Sequence, residues 1–339
     1  MAETPFERFR RLTGSAHFLT VAKPERVSAY LTESDFLIPG EEILHVTPAG
    51  EGNMNVTLRV ITNRRQFIVK QSRPWVARFP DIEAPVARIL VERHFYQAIA
   101  GDHFLVGRMP EILRADARNY VLILEDLGVV PDLTSLYQEE EDISRSQLST
   151  LLQFASRLHH LHIPEFEDNR ALKELNHQHI FDLPFRPDNG FPLDAIYPGL
   201  AKVALPFQHD ERLRAAAREL GQRYLGRGTC LVHGDFYPGS FLRAERRVFV
   251  IDAEFAHLGR PEFDVGVLMA HLLMSRAPEK RLLQIDTDYD KPSGFDASLT
   301  RSFCYVEIIR RLIGIAQLPV TLSLDERKQL LERARAGLL

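Results

Sequence analysis

The sequence predicts an α+β protein of two lobes, with a β-rich N-terminal lobe at residues 1–127 and a mainly helical C-terminal lobe at 128–339. Alternating apolar residues and turn signals indicate strands in the first part of the chain. Helical periodicity dominates the second part. The chain has 339 residues, of which 45% are hydrophobic, and this suits two lobes better than one small core.

The N-terminal lobe is predicted from a hairpin, a helix and a further strand. Residues 54–70, MNVTLRVITNRRQFIVK, alternate apolar and polar side chains, turn at TNRR and resume as a strand that ends at Lys70. A helix is predicted over 84–99, where Pro85 suits the first turn. YVLILEDL, at 120–127, predicts a buried strand.

The C-terminal lobe is predicted to be mainly helical. Apolar residues recur at helical spacing in five segments, at 144–162, 210–225, 263–275, 299–317 and 324–334. Two short strands are predicted between these helices, TCLVH at 229–233 and RVFVID at 247–252, and we expect them to pair as a hairpin. The Pro- and Gly-rich stretch at 181–206 is expected to run over the surface of this lobe.

Composition and charge exclude several classes of function. The net charge of −4 does not indicate a nucleic-acid partner. The two cysteines, Cys230 and Cys304, form no disulfide framework and favour a reducing, cytoplasmic location. No stretch approaches the roughly eighteen apolar residues of a membrane span, and the N-terminus lacks the apolar core of a signal peptide. These features favour a small-molecule partner and leave a homodimer open.

Two aspartates stand at the ends of the two predicted C-terminal strands. Asp235 follows the first strand in LVHGDFYPGSFL, and Asp252 ends the second strand, seventeen positions later. A hairpin would bring both carboxylates to one rim. Phosphoryl transfer uses such a pair, one carboxylate near the attacking hydroxyl and one holding Mg²⁺ against the nucleotide phosphates. Ser240 stands five residues after Asp235, where the protein-kinase signature has a metal-binding Asn.

These segments resemble a known group of enzymes. HGDFYPGSFL and VIDAEFAHLGRPEFDVG are similar to the catalytic segments of the aminoglycoside phosphotransferase and choline kinase superfamily, and within it to the 5-methylthioribose kinases. GEGNMN, IVKQ, DAEFA and EIIRR add to the resemblance, which spans from about Ile43 to the C-terminus. The chain differs from that family at Tyr237-Pro238, where the family has His-Thr. The family also has a tryptophan in a loop on the substrate side, whereas the only tryptophan of this chain, Trp75, lies in the first half.

The resemblance implies a bilobal protein-kinase-like fold and ATP- and Mg²⁺-dependent phosphorylation of a small-molecule hydroxyl. Asp235 is the predicted base or hydroxyl-orienting residue, and Asp252 is the predicted Mg²⁺ ligand. Glu254 can supply a second hard oxygen beside Ser240, which is a weaker ligand than Asn. A solvated surface carboxylate is the alternative for Glu254.

A nucleotide-binding lysine is predicted at the end of the first hairpin. Lys70 can reach the α- and β-phosphates if a carboxylate on the following helix holds it, and Glu92 is the candidate partner. Glu83 is the competing partner, and an exposed lysine at a strand end is the alternative for Lys70.

Two further segments are predicted to contact the nucleotide. The loop GEGNMN offers backbone N–H groups to phosphates, although a plain turn would have the same composition. Its predicted binding residues are Gly50, Gly52, Asn53 and Asn55. The backbone from Glu125 to Leu127 resembles the hinge that binds adenine, although any edge strand would look similar.

Three histidines and two arginines in the helical lobe are further candidate site residues. His159 and His162 are interpreted as structural rather than as metal ligands, and His233 as a brace for the turn of Asp235. Arg310 and Arg311 are adjacent on one helix, where successive side chains point about 100° apart, so at most one is expected on the buried face. The resemblance implies that they meet substrate oxygens or the transferring phosphoryl group, and a salt bridge is the alternative.

The function predicted from the sequence is phosphorylation of a small sugar, most similar to methylthioribose. An amino alcohol or aminoglycoside kinase is a second hypothesis, for which the acidic run EEED at 139–142 is the one obvious cation-binding cluster. A third hypothesis is a nucleotide-binding pseudokinase in which the altered turn has ended turnover.

Overall fold

A computed structural model describes residues 3–50, 54–138, 141–245 and 247–339. The chain divides into two compact units. The first comprises Met1–Gly101 and Met109–Val129, and the second comprises Asp102–Arg108 and Val130–Leu339.

The first unit carries a mainly antiparallel β-structure. Its strands are β1 (Ile43–Pro48), β2 (Val56–Thr62), β3 (Gln66–Gln71), β4 (Trp75–Val76), β5 (Phe79–Glu83), β6 (Ile112–Asp116) and β7 (Val121–Glu125). Its helices are α1 (Pro5–Thr13), α2 (Pro24–Glu33) and α3 (Arg88–Ile99). Across the described residues, five strands form one antiparallel sheet in the order β1-β2-β3-β7-β6.

The alternation along β3 assigns its side chains to two faces of this sheet. Phe67 and Val69 belong to the core that includes α2. Ile68 packs with Ile89 of α3 on the other face, and Lys70 lies on that same face. The predicted hairpin, helix and strand are therefore confirmed as β2–β3, α3 and β7, with α3 beginning four residues later than expected.

The second unit is mainly helical. Its helices are α4 (His103–Val106), α5 (Arg145–His160), α6 (Arg170–His177), α7 (Leu193–Ile196), α8 (Leu200–Gln208), α9 (Glu211–Leu225), α10 (Pro261–Met274), α11 (Glu279–Asp288), α12 (Ala297–Ile313) and α13 (Leu324–Leu338). Its strands are β8 (Cys230–Val232), β9 (Phe241–Ala244), β10 (Arg247–Val250) and β11 (His257–Gly259). Among the described residues, no helix is long and apolar enough to span a membrane.

The predicted pairing of the two C-terminal strands is wrong. β8 pairs with β11, and β10 pairs with β9, a strand that the sequence analysis missed. β9 and β10 are adjacent in sequence, so their pairing closes a much shorter loop than a pairing of β10 with β8 would. Asp235 therefore follows a strand of the β8–β11 pair, and Asp252 follows a strand of the separate β9–β10 pair.

The stretch at 181–206 runs largely over the surface as expected, and a few buried apolar residues anchor it to the core. Phe181 and Phe185 are fully buried, and they pack with α9, α10 and α12 in an apolar cluster of this unit. Short helical turns satisfy part of the backbone of this stretch. Its exposed residues include Pro187, Gly190, Pro192, Pro198 and Pro206.

Helices α10 and α12 approach each other closely because of one glycine. A Cβ added at Gly266 on α10 would lie 2.6 Å from the carbonyl oxygen of Thr300 on α12. The two helices are buried on almost every side, which allows polar side chains from both to meet in the interior.

Candidate active site

The turn that carries Asp235 packs directly on the segment that follows Asp252. Gly234 has a φ of +82°, and an added Cβ would lie 2.3 Å from the carbonyl oxygen of Phe255. Glycine is therefore required at this position both for its backbone conformation and for the close approach.

A buried carboxylate holds this turn from behind. Asp264, in the first turn of α10, accepts hydrogen bonds from the backbone N–H groups of His233 and Gly234, at 2.7 and 2.9 Å. His159 Nε2 lies 3.2 Å from the same carboxylate, and His159 Nδ1 lies 2.8 Å from the hydroxyl of Tyr289. Burial opposes ionisation, yet the hydrogen bond and charge of His159 keep the pKa of Asp264 below its ordinary value. His159 thus has structural contacts, and Asp264 is a site residue that the sequence analysis missed.

Three further hydrogen bonds join the segments of Asp235 and Asp252. Ser240 donates its hydroxyl to the carbonyl oxygen of Asp235 at 2.8 Å, and its own carbonyl accepts from the N–H of Ile251 at 3.0 Å. His233 Nε2 lies 3.0 Å from the carbonyl oxygen of Ile251, so this histidine braces the turn as expected. Residues 235 and 252 are therefore carried by backbone segments that are fastened to each other.

The segment after β10 presents two carboxylates to this region. Asp252 adopts a left-handed conformation, with φ +64° and ψ +48°, and a short 3₁₀ turn follows that contains the buried Glu254. Asn169 fastens this turn by donating to the carbonyl oxygens of Glu254 and Ala256, at 2.9 and 3.1 Å. Mg²⁺ in kinases takes one or two carboxylates together with substrate phosphates, and the oxygen donors of this turn fit that pattern. The buried Ser240 has a bracing contact, and its role as a metal ligand stays a prediction.

Asp235 is a partly desolvated carboxylate beside two arginines. Its side chain retains 23% of its exposure, and Nη2 of Arg311 lies 3.6 Å from its Oδ1. Burial raises the pKa of Asp235 to about 6, against the opposing charges of Arg311 and Arg310. A carboxylate with such a pKa is ionised at neutral pH and remains basic enough to accept a proton.

The expectation that at most one of the paired arginines is buried is wrong. Arg310 and Arg311 are 9% and 6% exposed, because α12 is enclosed by neighbouring elements on nearly all sides. One carboxylate, Glu307, accepts from both, at 2.9 Å from Nη1 of Arg310 and 2.6 Å from Nε of Arg311. Arg311 also lies over the ring of Tyr237, 4.8 Å from its centroid.

Arg310 differs from Arg311 in the use of its donors. Its buried Nε has no acceptor among the described residues, whereas the Nε of Arg311 is bound to Glu307. His179 lies near Arg310, and burial together with that charge lowers the pKa of His179 to about 4, so its imidazole is neutral. The sequence analysis missed both Glu307 and His179.

In the first unit, Lys70 and Glu92 form a buried ion pair. Their Nζ and Oε2 atoms are 2.6 Å apart, and the two side chains are 3% and 1% exposed. The competing partner Glu83 lies on β5 and is exposed. The predicted pairing is therefore present, and its role in nucleotide binding stays a prediction.

The other predicted nucleotide-binding residues are described in part. Gly50 has a φ of +77° and open space around its α-carbon, and Asn55 is buried, whereas Gly52 and Asn53 lie outside the described residues. Glu125 is the exposed last residue of β7.

The segment that contains Leu127 is fixed by an arginine of β2. Arg59 contacts Asp126 at 2.6 Å and donates to the carbonyl oxygen of Gly128 at 2.7 Å. The backbone of the predicted hinge therefore has a defined conformation.

The acidic run at 139–142 is only partly described. Glu139 and Glu140 lie outside the described residues. Glu141 pairs with Arg243 at 2.9 Å, and Asp142 pairs with Arg281 at 3.1 Å. The two described carboxylates of this run are thus neutralised by arginines.

Comparisons with known proteins agree with the resemblance seen in the sequence. A model described as "Phosphotransferase enzyme family" (APH) matches residues 45–298. The methylthioribose kinase of Exiguobacterium sibiricum is 24% identical, over 88% of this chain and 87% of its own length. The methylthioribose kinase of Pectobacterium atrosepticum is 26% identical, over 87% and 85% of the two chains.

Solved structures resemble the chain in fold. A choline kinase from Streptococcus pneumoniae has a TM-score of 0.54 and 14% identity, over 94% of this chain and 99% of that chain. A choline kinase from Cryptosporidium parvum has a TM-score of 0.53 and 11% identity, over 92% and 95%. The predicted α+β, protein-kinase-like fold class is confirmed.

Proposed function

The chain belongs to the phosphotransferase enzyme family and is a small-molecule kinase with an alcohol group as acceptor, and we propose that it transfers the γ-phosphoryl group of ATP to a hydroxyl of a small neutral or anionic sugar of the methylthioribose type.

The observation that carries this proposal is the pair of arginines beside Asp235. A guanidinium donates several hydrogen bonds in a fixed geometry that suits sugar hydroxyls and phosphoryl oxygens. Arg310 is buried and has an unused donor among the described residues, while Arg311 lies 3.6 Å from Asp235. Guanidinium groups only donate hydrogen bonds, so these arginines offer no acceptor to the ammonium group of choline or an aminoglycoside.

The proposed reaction assigns one task to each residue of the second unit. Asp235 orients the acceptor hydroxyl for in-line attack and takes up its proton, and its raised pKa suits this role near neutral pH. Arg310 donates to the substrate or to the transferring phosphoryl oxygens, where negative charge is concentrated. Asp252 and Glu254, with Ser240 beside them, are the residues proposed to hold Mg²⁺, which when bound supplies charge neutralisation at the nucleotide phosphates.

The first unit is proposed to bind ATP. Lys70, held in its buried position by Glu92, contacts the α- and β-phosphates. The loop residues and the segment after β7 complete the proposed nucleotide site, with the backbone of Glu125 and Leu127 facing the adenine. The proposed loop residues are Gly50, Gly52, Asn53 and Asn55.

The amino alcohol hypothesis lacks a described cluster of available carboxylates. The acids that the sequence suggested for a cation, Glu141 and Asp142, are paired with Arg243 and Arg281. The likeness to choline kinases in fold does not extend to substrate at 14% identity or less.

The proposed function is tested by ADP release with a panel of acceptors at saturating Mg-ATP. The panel contains 5-methylthioribose, ribose, choline, 1-amino-2-propanol and kanamycin, and Asp235→Asn serves as the blank. We expect the pentoses to be phosphorylated and the cationic acceptors to be poor. Efficient phosphorylation of the cationic acceptors alone would overturn the sugar assignment, and no ADP release with any acceptor would favour a non-catalytic nucleotide-binding protein.

A further inference from the structure

A fully buried carboxylate lies behind the two arginines of the candidate site. Glu307 precedes Arg310 and Arg311 by three and four positions on α12, so all three side chains share one face and can meet. We infer that Glu307, fixed by His271, is a positioning residue that holds Arg311 away from Asp235 and directs Arg310 toward the acceptor. This inference rests on the proposed function.

The distances show which carboxylate Arg311 prefers. Its Nε lies 2.6 Å from Glu307 Oε1, whereas its Nη2 lies 3.6 Å from Asp235 Oδ1, beyond a normal hydrogen bond. Glu307 is 1% exposed, so little water screens its attraction for the guanidinium. Asp235 therefore feels the charge of Arg311 without being capped by it, and its oxygens remain available to a hydroxyl.

The same carboxylate limits the freedom of Arg310. Nη1 of Arg310 lies 3.1 and 2.9 Å from the two oxygens of Glu307, while its Nε has no acceptor among the described residues. Nη1 of Arg310 is thus bound to Glu307, and its Nε stays available to donate to a ligand.

A histidine on α10 fixes the orientation of Glu307. Nε2 of His271 lies 3.2 Å from Glu307 Oε1, and its Nδ1 lies 2.6 Å from the hydroxyl of Tyr137. Burial lowers the pKa of His271 to about 4, so the ring is neutral and carries one proton. The proton belongs on Nε2, which donates to the carboxylate, and Nδ1 accepts from Tyr137, whose raised pKa keeps its hydroxyl protonated.

The charge balance explains why Glu307 matters for turnover. Two arginines face two carboxylates in this buried cluster, Glu307 and Asp235. Without the charge of Glu307, the nearest remaining carboxylate for Arg311 is Asp235. Closure of that pair would block the base and withdraw Arg311 from the position that Glu307 gives it.

The test is Glu307→Gln, which keeps the shape and removes the charge. We expect kcat to fall by about tenfold to a hundredfold while KM for Mg-ATP stays within about twofold, because only the positioning of reacting groups is lost. Arg311→Lys should cost much less in the Glu307→Gln background than in the wild type, because Arg311 is already displaced there. Glu326→Gln is the matched control, since it breaks another ion pair of the same unit, with Arg276 at 2.6 Å, and should leave kcat unchanged.

The inference would be overturned if the effects of Glu307→Gln and Arg311→Lys on kcat were independent and if Glu307→Gln mainly lowered the melting temperature. If Glu307→Gln does not fold, Tyr137→Phe provides the same test, because it removes only the hydroxyl that fixes His271. A kcat unchanged in Tyr137→Phe would then count against the inference. Normal turnover in Asp235→Asn would instead refute the proposed function itself, so the two failures are distinguishable.

Discussion

Single residues of the site divide into those that a local pattern reveals and those that it does not. Asp235 and Asp252 follow short strands and Lys70 lies near the end of β3, so the sequence alone could single them out. Asp264 is a buried acid whose partners lie on other segments, and Glu307 pairs with the arginines of its own helix and with His271 of α10. Their importance follows from contacts that only folding creates.

Asp235 is expected to destabilise the protein when it ionises. Its pKa is raised from 3.8 to about 6 on folding, so the folded state keeps the proton that the unfolded state releases between these values. Stability from this group is complete below about pH 4 and is lost as the pH rises through about 6. Asp235→Asn should therefore gain melting temperature relative to the wild type between pH 4 and pH 7, although its turnover falls by about a hundredfold or more.

Thermal melts of both proteins across this pH range check the prediction. A melting-temperature difference that does not change with pH would show that the carboxylate is not desolvated as described.

The Lys70–Glu92 pair is expected to matter for both stability and nucleotide affinity. Glu92→Gln leaves a buried lysine without its carboxylate, which costs about 3 kcal/mol in comparable buried pairs, and it should weaken ATP binding. Glu83→Gln is the matched control, because the sequence offered both acids and Glu83 is exposed. Chemical denaturation and ATP titration of the two variants are the measurements, and equal effects in both would contradict the assignment.

At the scale of elements, the periodic segments were predictable and the pairing of short strands was not. The β2–β3 hairpin, α3, α5, α9, α10, α12 and α13 all follow from apolar spacing and turn residues. The pairing of β8 with β11 joins segments that are distant in sequence, which no local pattern specifies. The same holds for Phe181 and Phe185, which anchor the otherwise largely exposed stretch 181–206 to the core.

The turn before Asp235 offers a test at this scale. Gly234→Ala adds a Cβ at 2.3 Å from a carbonyl oxygen at a φ of +82°, so it should separate the Asp235 turn from the segment after Asp252 and abolish turnover. Gly190→Ala, at a φ of +72° with open space around it, carries the same backbone cost of about 1 kcal/mol without the clash. Melting curves and kcat distinguish the two, and similar losses in both would mean that the close approach is unimportant.

At the scale of the whole molecule, the α+β fold class followed from strand-like alternation in the first part of the chain and helical periodicity in the second. This fold class agrees with the kinases that the chain resembles. The methylthioribose-like sugar that the resemblance predicted stays a proposal, because the choice of substrate depends on which charges meet in the second unit. The arginine pair was visible in the sequence, but its burial, its shared carboxylate and its distance from Asp235 were not.

The central claim is that this kinase selects a neutral or anionic sugar through the arginines beside Asp235. The most direct measurement is the ratio of kcat/KM for 5-methylthioribose to that for choline, with the same enzyme at saturating Mg-ATP. We predict a ratio of at least about a hundred in favour of the sugar, because an ammonium group offers no acceptor to the guanidinium donors and leaves them unpaired. A ratio below one would contradict the claim and reassign the site to a cationic acceptor.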